Sequence, residues 1–258
     1  MTEHRSMKDL VAEPGTKIGH MLFEFLTPNV GYALSSAGAD FAIIDMEHNG
    51  LGFESLATAI RYLHVASIPA IARIATRVPS DVSRACDVGA DAIMVPMVSS
   101  VEEVENIAAA MKYHPEGRRG VAQPPLERYG PMPMLDAFKE ANRRLALIVQ
   151  IENTAGVENA DAIAAMDSVD CIWTGHADLS CSLGIPGDFE CDTFRQAEEK
   201  IINAAKSNGK ALGRLGQNVE GCLALSRLGY DMLAFSNDLK VWAGGVGNGI
   251  RAIRAGLN

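Results

Sequence analysis

A chain of 258 residues, 48% of them hydrophobic, is long enough for one α/β barrel or one doubly wound domain with a large apolar core. The formal net charge of −9 argues against nucleic acid or an anionic membrane as a partner, because both require a basic surface. No apolar run is long enough to span a bilayer, and the first nine residues lack the apolar segment of a secretory signal. We therefore expect a single cytoplasmic domain over residues 1–258.

Short apolar runs alternate with amphipathic stretches along the chain, which is typical of β–α units and a parallel sheet. Eight runs are predicted to be strands: Lys17–Phe23, Phe41–Asp45, Ala70–Arg73, Ala92–Pro96, Leu145–Gln150, Cys171–Thr174, Ala211–Arg214 and Met232–Phe235. Eight is the number that a (β/α)8 (TIM) barrel needs, so this α/β barrel is the predicted fold class.

The segments between these runs have the periodicity of helices. Asp81–Val88 and Phe194–Ser207 are amphipathic, and Ser100–Met111 starts with a serine followed by Glu103, which is a capping box. Gly38, Gly89 and Gly229 each stand just before a predicted strand, where a glycine ends the preceding helix in the left-handed conformation. These glycines are interpreted as structural.

Two loops invite a functional interpretation. The segment His114–Met134 contains five prolines, and such a long insertion on a compact barrel is often functional. Its Arg118 and Arg119 could bind an anion, although a solvated loop is the favoured interpretation. The glycine-rich Gly244–Gly249 lacks the Lys-Ser/Thr of a phosphate-binding loop, and we expect a flexible hinge before a final helix over Ile250–Ala255.

The cysteines indicate reduced thiols rather than a disulfide framework or a zinc site. There are five of them, an odd number, and no Cys-x-x-Cys pair is present. Zinc ligands usually come in close pairs separated by a short turn, so the even spacing of Cys171, Cys181 and Cys191 is not interpreted as a metal site. Cys171 lies inside an apolar run and is assigned to the core.

Two carboxylates follow consecutive predicted strands. Glu152 closes one apolar run and Asp178 follows the next, so a parallel barrel brings both to the carboxyl-terminal rim, where barrel enzymes have their active sites. Two carboxylates on a rigid rim suit a hard divalent cation with open coordination positions. The competing interpretation is that each acid caps a helix N-terminus. Gln150 faces the same side of its strand as Glu152 and could join the site.

Further candidates follow the second and third strands. Asp45, Glu47 and His48 stand at the end of one strand, and a carboxylate beside an imidazole fixes its tautomer and raises its basicity. An Asp45–His48 contact requires the chain to turn after the strand, and a structural histidine is the alternative. Arg73 ends the next strand and could clamp a carboxylate or carbonyl oxygen, unless a buried salt bridge to Asp45 or Glu47 explains it.

Taken together, these motifs resemble the HpcH/HpaI family of class II pyruvate aldolases. The resemblance runs from about Lys17 to about Asp238, and no single segment would suffice for it. The segments that carry it are Ile44–His48, Ala72–Arg73, Asp87–Val98, Gly117–Val121, Val149–Glu152 and Gly175–Ser180. It implies a barrel whose last helix is swapped within a dimer, and a hexameric assembly of such dimers.

The resemblance also implies roles for individual residues. Glu152 and Asp178 would bind the divalent metal, Mg²⁺ or Mn²⁺, with Co²⁺ and Zn²⁺ as further candidates. Arg73 would stabilise the enolate oxygen of pyruvate, and His48 with Asp45 would form the base. The remaining expected site residues are Gln150, the backbone of Gly175, His176 and Ala177 around the pyruvate carboxylate, and Asp87 near a neighbouring subunit's site.

The chain departs from the family pattern at two places. His176 stands where a proline is usual, and it adds a titratable group close to the expected metal. The first strand carries Glu24 near the rim, in a segment where many members have a tryptophan. These departures leave the expected chemistry intact and place the identity of the aldehyde in doubt.

The expected reaction is the reversible aldol cleavage of a 4-hydroxy-2-oxo acid to pyruvate and an aldehyde. No lysine is placed for a Schiff base, because Lys17, Lys112 and Lys210 flank strands at their outer ends. The alternatives are an oxaloacetate decarboxylase and a citrate-lyase-type acyl-CoA lyase, which would use the same enolate chemistry. A non-catalytic barrel that acts as a binding protein is the alternative from a different class.

Overall fold

A computed structural model describes residues 6–121 and 132–257. Eight strands pair in sequence order, all parallel, and the last strand pairs with the first to close a barrel. The strands are β1 Lys17–Leu22, β2 Phe41–Asp45, β3 Ala70–Arg73, β4 Ala92–Val95, β5 Ala146–Ile151, β6 Cys171–Thr174, β7 Ala211–Gly216 and β8 Met232–Asn237. All eight predicted strands are confirmed, and with them the (β/α)8 barrel.

Helices surround the barrel and follow the strands in alternation. They are α1 Met7–Ala12, α2 Val30–Ser36, α3 Phe53–Val65, α4 Pro79–Asp87, α5 Val101–Met111, α6 Met134–Arg144, α7 Thr154–Glu158, α8 Ala160–Ala164, α9 His176–Ser182, α10 Asp192–Ser207, α11 Val219–Leu228 and α12 Asp238–Leu257. None of the described helices combines the length and apolarity that crossing a membrane requires.

The core has two layers because successive side chains of a strand point to opposite faces. Inside the barrel, side chains such as Phe41, Ile71 and Ile148 form one cluster, which α1 closes at the amino end with Met7 and Leu10. A second, larger cluster lies between the strands and the surrounding helices. Within residues 6–121 and 132–257, the amino end and the interior of the barrel are therefore packed, which leaves its carboxyl end for a site.

The local predictions for helices and turns are largely confirmed. The Ser100 hydroxyl accepts a hydrogen bond from the Glu103 amide at 3.3 Å, as the predicted capping box requires. Helix α4 begins earlier than expected, with Pro79 at its first position, where a missing N–H costs nothing. Gly89 and Gly229 have φ values of 105° and 101°, so they end helices in the left-handed conformation.

The expected hinge at Gly244–Gly249 is wrong. A single helix, α12, passes through all of these glycines. Although glycine costs about 1 kcal/mol relative to alanine in a helix interior, Trp242, Val246, Ile250 and Ile253 recur at helical spacing and form an apolar stripe. This periodicity indicates one continuous helix, whereas the prediction of a hinge relied on the glycines alone.

The interpretation of Arg119 as part of a solvated loop is also wrong. Its side chain is only 3% exposed and lies 2.6 Å from Asp87, and its guanidinium stacks on the Tyr113 ring at 4.5 Å. Arg118, by contrast, reaches the exposed Asn106 at 2.8 Å. Much of the proline-rich insertion predicted over His114–Met134 lies outside the described residues.

Cys86 and Cys171 are buried, and none of the cysteines forms a disulfide within the described part of the chain, which contains all five. Cys171 belongs to the inner core of the barrel, as predicted.

Candidate active site

Glu152 lies at the carboxyl end of β5, almost completely buried at 1% exposure. The Met97 amide donates to its Oε1 at 2.6 Å, and Gln150 Nε2 donates to its Oε2. Burial raises the pKa of Glu152 to about 7, although both of these hydrogen bonds lower it. Gln150 and Glu152 therefore do share one face of the strand, as predicted.

The Met97 amide is aimed by an unusual backbone conformation. Met97 has a φ of 57°, which is rare for a residue with a side chain. Its carbonyl accepts from Arg77 at 2.6 Å, and the following amide of Val98 donates to the Gln150 carbonyl at 3.2 Å. Contacts on both sides hold this strained residue beside Glu152, which is common at functional sites.

Gly175 brings the next strand, β6, directly against Glu152. A β-carbon at Gly175 would overlap the Glu152 carboxylate and crowd Gln150. Helix α9 begins after this glycine without a side-chain cap, and the exposed Asp178 lies in its first turn. Asp178 raises the pKa of Glu152, so the two predicted metal ligands do lie at one rim and act on each other.

Arg73 and Asp45 form a buried pair across β2 and β3, whose last residues are register partners. Arg73 Nε donates to Asp45 Oδ1 at 2.7 Å, and its Nη1 lies 3.3 Å from Glu47 Oε2. Burial raises the pKa of Glu47, opposed mainly by the positive charge of Arg73. The salt-bridge interpretation of Arg73 is therefore correct, and the same contacts fix its guanidinium at the rim.

His48 follows a turn after β2, as an Asp45–His48 contact requires. The contact is made by its backbone, because the His48 amide donates to Asp45 Oδ2 at 3.3 Å. The imidazole is 54% exposed, with Nε2 at 3.6 Å from Glu47 Oε2. The histidine is thus free to meet a substrate at the rim while Asp45 holds its backbone.

The residues at this rim fit a hard divalent cation. Glu152, Asp178 and the amide of Gln150 offer only oxygen ligands, which Mg²⁺ and Mn²⁺ prefer. Among the described residues, Gln150 Oε1 is buried without a hydrogen-bond partner, which fits an oxygen that binds a cation. Residues 6–121 and 132–257 contain no group of three or more His, Cys, Asp or Glu side chains that could hold a metal.

The side chain of His176, expected to add a titratable group close to the metal, lines a cavity of its own. The imidazole packs against Phe189, with ring centroids 5.1 Å apart, and lines a cavity of about 790 Å³ between α10 and α11. Burial, with a smaller effect of Arg214, lowers the pKa of His176 to about 4. The ring is therefore neutral near pH 7, and contact of the backbone of Gly175, His176 and Ala177 with a ligand stays a prediction.

Asp87 does not join the other predicted residues within this chain. It ends α4, at the amino end of the barrel, and pairs with Arg119. Its expected place near a neighbouring subunit's site stays a prediction. Glu24 lies on the loop after β1, is exposed, and donates its amide to Asp238 at 2.9 Å.

Sequence reasoning missed three contributors to the rim: the Met97 amide, the side chain of Asn49 and the carboxylate of Asp238. A backbone amide carries no sequence signal, and Asp238 acts on residues more than 210 positions away. Asn49 offered a weak signal, because a short amide four residues after Asp45 can bond back to the carbonyl of that residue.

The sequence matches the family model of the HpcH/HpaI aldolase/citrate lyase family over residues 25–243. Similar curated proteins include the 5-keto-4-deoxy-D-glucarate aldolases of Shigella boydii, 31% identical over 81% of both chains, and of Escherichia fergusonii, 32% identical over 82% of both chains. The family match covers every predicted site residue.

Solved structures agree with this assignment. The HpcH/HpaI aldolase from Desulfitobacterium hafniense superposes with a TM-score of 0.91 at 27% identity, over 97% of both chains. The citrate synthase SbnG gives 0.86 at 29% identity, covering 98% of this chain and 99% of the other, and macrophomate synthase gives 0.84 at 27%, covering 99% and 94%. The chain belongs to the HpcH/HpaI aldolase/citrate lyase family.

Proposed function

We propose that this protein is a divalent-metal-dependent aldolase that cleaves 4-hydroxy-2-oxo acids to pyruvate and an aldehyde, and forms them in reverse. The observation that carries the proposal is the buried Glu152, held by Gln150 and the Met97 amide on the same rim as the Arg73–Asp45 pair. A buried carboxylate and a fixed guanidinium on one rim would provide one position for a cation and one for a developing negative charge.

Glu152 and Asp178 would hold the metal, with Gln150 beside it. When bound, a divalent ion would supply Lewis-acid stabilisation of negative charge on the substrate oxygens. The pKa of about 7 for Glu152 results mainly from burial. A nearby positive charge would favour its ionised form, so binding of a cation would be coupled to loss of the Glu152 proton.

Arg73 would act on the keto oxygen of the substrate. Asp45 and Glu47 already fix its guanidinium, so little reorganisation is needed when charge develops on that oxygen. His48 would move the proton, taking it from the 4-hydroxyl during cleavage and returning one to the pyruvate enolate. Its exposed ring and anchored backbone are consistent with this role.

The carboxylate of the 2-oxo acid would lie against the first turn of α9. Backbone amides in the first turn of a helix have no intrahelical acceptor, and no side chain caps the N-terminus of this helix at Gly175. The absence of a side chain at Gly175 also leaves room beside Glu152. These features support a planar carboxylate next to the metal position.

The names of the relatives support the proposed substrate class. The name 5-keto-4-deoxy-D-glucarate, numbered from its other end, describes a 2-oxo acid with a hydroxyl at position 4. Oxaloacetate decarboxylation and citrate-lyase-type chemistry would use the same residues, and a structural neighbour is a citrate synthase. An assay therefore has to distinguish aldol cleavage from decarboxylation and from citrate-lyase-type cleavage.

We further propose that the protein is a homo-oligomer, with a hexamer of swapped dimers as the expected form. Helix α12 exposes Trp242, Ile250 and Ile253 at 59%, 45% and 65%, which is costly for a helix left in water. Ile18 on the outside of β1 is 49% exposed, where a barrel strand is normally covered by a helix. Light scattering of the wild type and of Ile253→Lys would test this, since a monomeric wild type would contradict it.

The aldolase proposal is tested with the purified protein and two substrates in parallel. Pyruvate release from 5-keto-4-deoxy-D-glucarate and from oxaloacetate would be followed with Mg²⁺ or Mn²⁺ and then with a chelator. We expect metal-dependent cleavage of the hydroxy-oxo acid, lost on chelation and in Glu152→Gln. Turnover of oxaloacetate alone would favour the decarboxylase, and turnover that survives chelation would contradict the metal-dependent proposal.

A further inference from the structure

The Asp238 carboxylate collects backbone amides from the loop after β1. Its oxygens accept from Phe23, Glu24 and Phe25 at 3.0, 2.9 and 2.8 Å, and from Leu239 at 2.8 Å. The residue is 6% exposed. Hydrogen bonds to an ionised carboxylate are stronger than bonds to a neutral acceptor. Because three of the four donors belong to the loop after β1, Asp238 holds that loop in place.

Capping of α12 does not account for this arrangement. The Asn237 side chain already caps the helix, because its Oδ1 accepts from the Lys240 amide at 2.9 Å. Only the Leu239 amide, among the donors to Asp238, belongs to α12. The other three donors lie more than 210 residues earlier in the chain, so the main effect of Asp238 is on the loop after β1.

Asn49 continues the connection towards the rim. Its Nδ2 donates to the Phe23 carbonyl at 3.0 Å and also to the carbonyl of Asp45, while its Oδ1 accepts from Leu51 at 2.9 Å. Phe23 is thus bound on both sides, by Asp238 through its N–H and by Asn49 through its C=O. Every polar atom of the Asn49 side chain is used.

The path ends on the residues proposed to move the proton and bind the keto oxygen. Asp45, whose carbonyl Asn49 binds, receives Arg73 Nε and the His48 amide on its carboxylate. We propose that Asn49 and Asp238 are positioning residues for the reaction, which hold the turn from Asp45 to His48 and the loop after β1 in one fixed arrangement. This inference rests on the proposed function.

Glu152 and Asp178 follow β5 and β6, whereas the Asn49–Asp238 connection joins β1, β2 and α12. Loss of the connection should therefore impair proton transfer and leave metal binding intact. If the two residues had a purely structural role, their loss would lower stability and thereby reduce proton transfer and metal binding together. This difference separates a positioning residue from a structural one.

The test uses three variants of the intact protein and one matched control. Asp238→Asn keeps the shape but turns an NH2 group towards backbone N–H donors, whichever way the amide is oriented. Asn49→Ala removes the connection, and Asn49→Asp places an acceptor against two carbonyl oxygens. Asp40→Asn is the control. Asp40 also accepts a hydrogen bond from β1, from the Ile18 amide at 2.8 Å, but at the amino end of the barrel.

Exchange of the pyruvate methyl protons in D₂O gives kcat and KM for the proton-transfer step, and Mn²⁺ titration followed by electron paramagnetic resonance gives the metal Kd. We expect kcat to fall about tenfold or more in Asp238→Asn and Asn49→Ala, because small misplacements of catalytic groups have large effects. Asn49→Asp should be at least as impaired as Asn49→Ala. The Mn²⁺ Kd of the three variants should match that of the wild type. In the control Asp40→Asn, kcat and the Mn²⁺ Kd should both match those of the wild type.

The inference is overturned if folded Asp238→Asn and Asn49→Ala exchange protons at the wild-type kcat, or if kcat and Mn²⁺ affinity fall in parallel with thermal stability. A wild type that exchanges no protons with any metal contradicts the proposed function itself, and the positioning role with it. Exchange by the wild type that the variants retain in full contradicts the positioning role alone.

Discussion

Gly175 lies so close to Glu152 that no side chain fits between them. The backbone angles of Gly175, φ −85° and ψ 78°, do not require glycine, so the reason for a glycine here is the space beside the Glu152 carboxylate and Gln150. Two neighbouring strands thereby bring a buried acid and the start of α9 together. The proposed metal position depends on this close approach.

We therefore predict that Gly175→Ala displaces the Glu152 carboxylate and weakens Mn²⁺ binding by about 10- to 100-fold, the range typical of disturbed metal sites. Isothermal titration with Mn²⁺ measures this. Gly52→Ala is the control, because Gly52 also precedes a helix and a β-carbon there meets no atom within 4 Å. Equal Mn²⁺ affinities of the two variants would contradict the assignment of Glu152 as a ligand.

Arg73 gives a second prediction. Arg73→Lys keeps the charge but cannot reproduce the two contacts to Asp45 and Glu47 at 2.7 and 3.3 Å. Loss of a fixed donor to a developing oxyanion costs about 10²–10³ in kcat, and we expect a fall of that order with unchanged Mn²⁺ affinity. Arg61→Lys, at an exposed arginine that donates to the Ala57 carbonyl at 2.7 Å, should retain full activity in the same assay.

The barrel was predictable from the sequence because its signals are local. Each strand is a short apolar run, and a segment with helical periodicity follows it. Because the strands are parallel, the last residues of all strands lie at one rim. For this reason Glu152, Gln150, Asp178, Arg73 and Asp45 could be assigned to one site from their positions alone. The burial and register of these strands confirm that the residues lie at one rim, and their roles in a site stay a prediction.

The contacts that were not predicted are those between distant parts of the chain. Asp238 reaches the loop after β1 across more than 210 residues, and the buried Arg119, in the segment after α5, pairs with Asp87 at the end of α4. The positive φ of Met97 and the direction of its amide are set by Arg77 and Gln150 rather than by its own side chain. No periodicity or local motif encodes such pairings.

Asp87 gives a prediction about stability. Asp87→Asn leaves the buried Arg119 guanidinium with a weaker acceptor, which should lower the free energy of unfolding by about 1–3 kcal/mol. Denaturant unfolding measures it. Asp9→Asn is the control, because the exposed Asp9–Arg143 pair at 3.5 Å should contribute less than about 1 kcal/mol.

The same variant tests the family-derived role of Asp87. We expect folded Asp87→Asn to lose turnover as well, since the resemblance places this carboxylate at a neighbouring subunit's site. Lowered stability with unchanged turnover would leave Asp87 a structural residue only.

The thiols give a prediction about pH. Burial raises the pKa of Cys86 to about 12 and that of Cys171 well above its ordinary value, whereas Cys181 is exposed. Because the thiolate is the reactive form, a rise from pH 7 to 9 should not make Cys86 or Cys171 reactive in the folded protein. Iodoacetamide labelling with peptide mapping should modify Cys181 first, and labelling of Cys171 before unfolding would contradict the barrel core.

The chemistry of a Schiff-base aldolase offers a further check. The amines of Lys17, Lys112 and Lys210 bind the carbonyls of Glu13, Asn142 and Met166 near the amino end of the barrel. Lys240 lies nearer the rim and contacts Gln217 on the loop after β7. We expect borohydride in the presence of pyruvate to leave the enzyme active, and inactivation with a label on Lys240 would contradict the proposed mechanism.

The central claim is that this rim removes a proton from the methyl group of pyruvate with the help of a divalent metal. The most direct test is deuterium exchange into that methyl group in D₂O, followed by NMR with Mg²⁺ or Mn²⁺ and then with a chelator. It requires no knowledge of the aldehyde. We predict exchange that needs the metal and is lost in Arg73→Ala and Glu152→Gln; no exchange with any metal would contradict the claim, because pyruvate would then not be the group that this site activates.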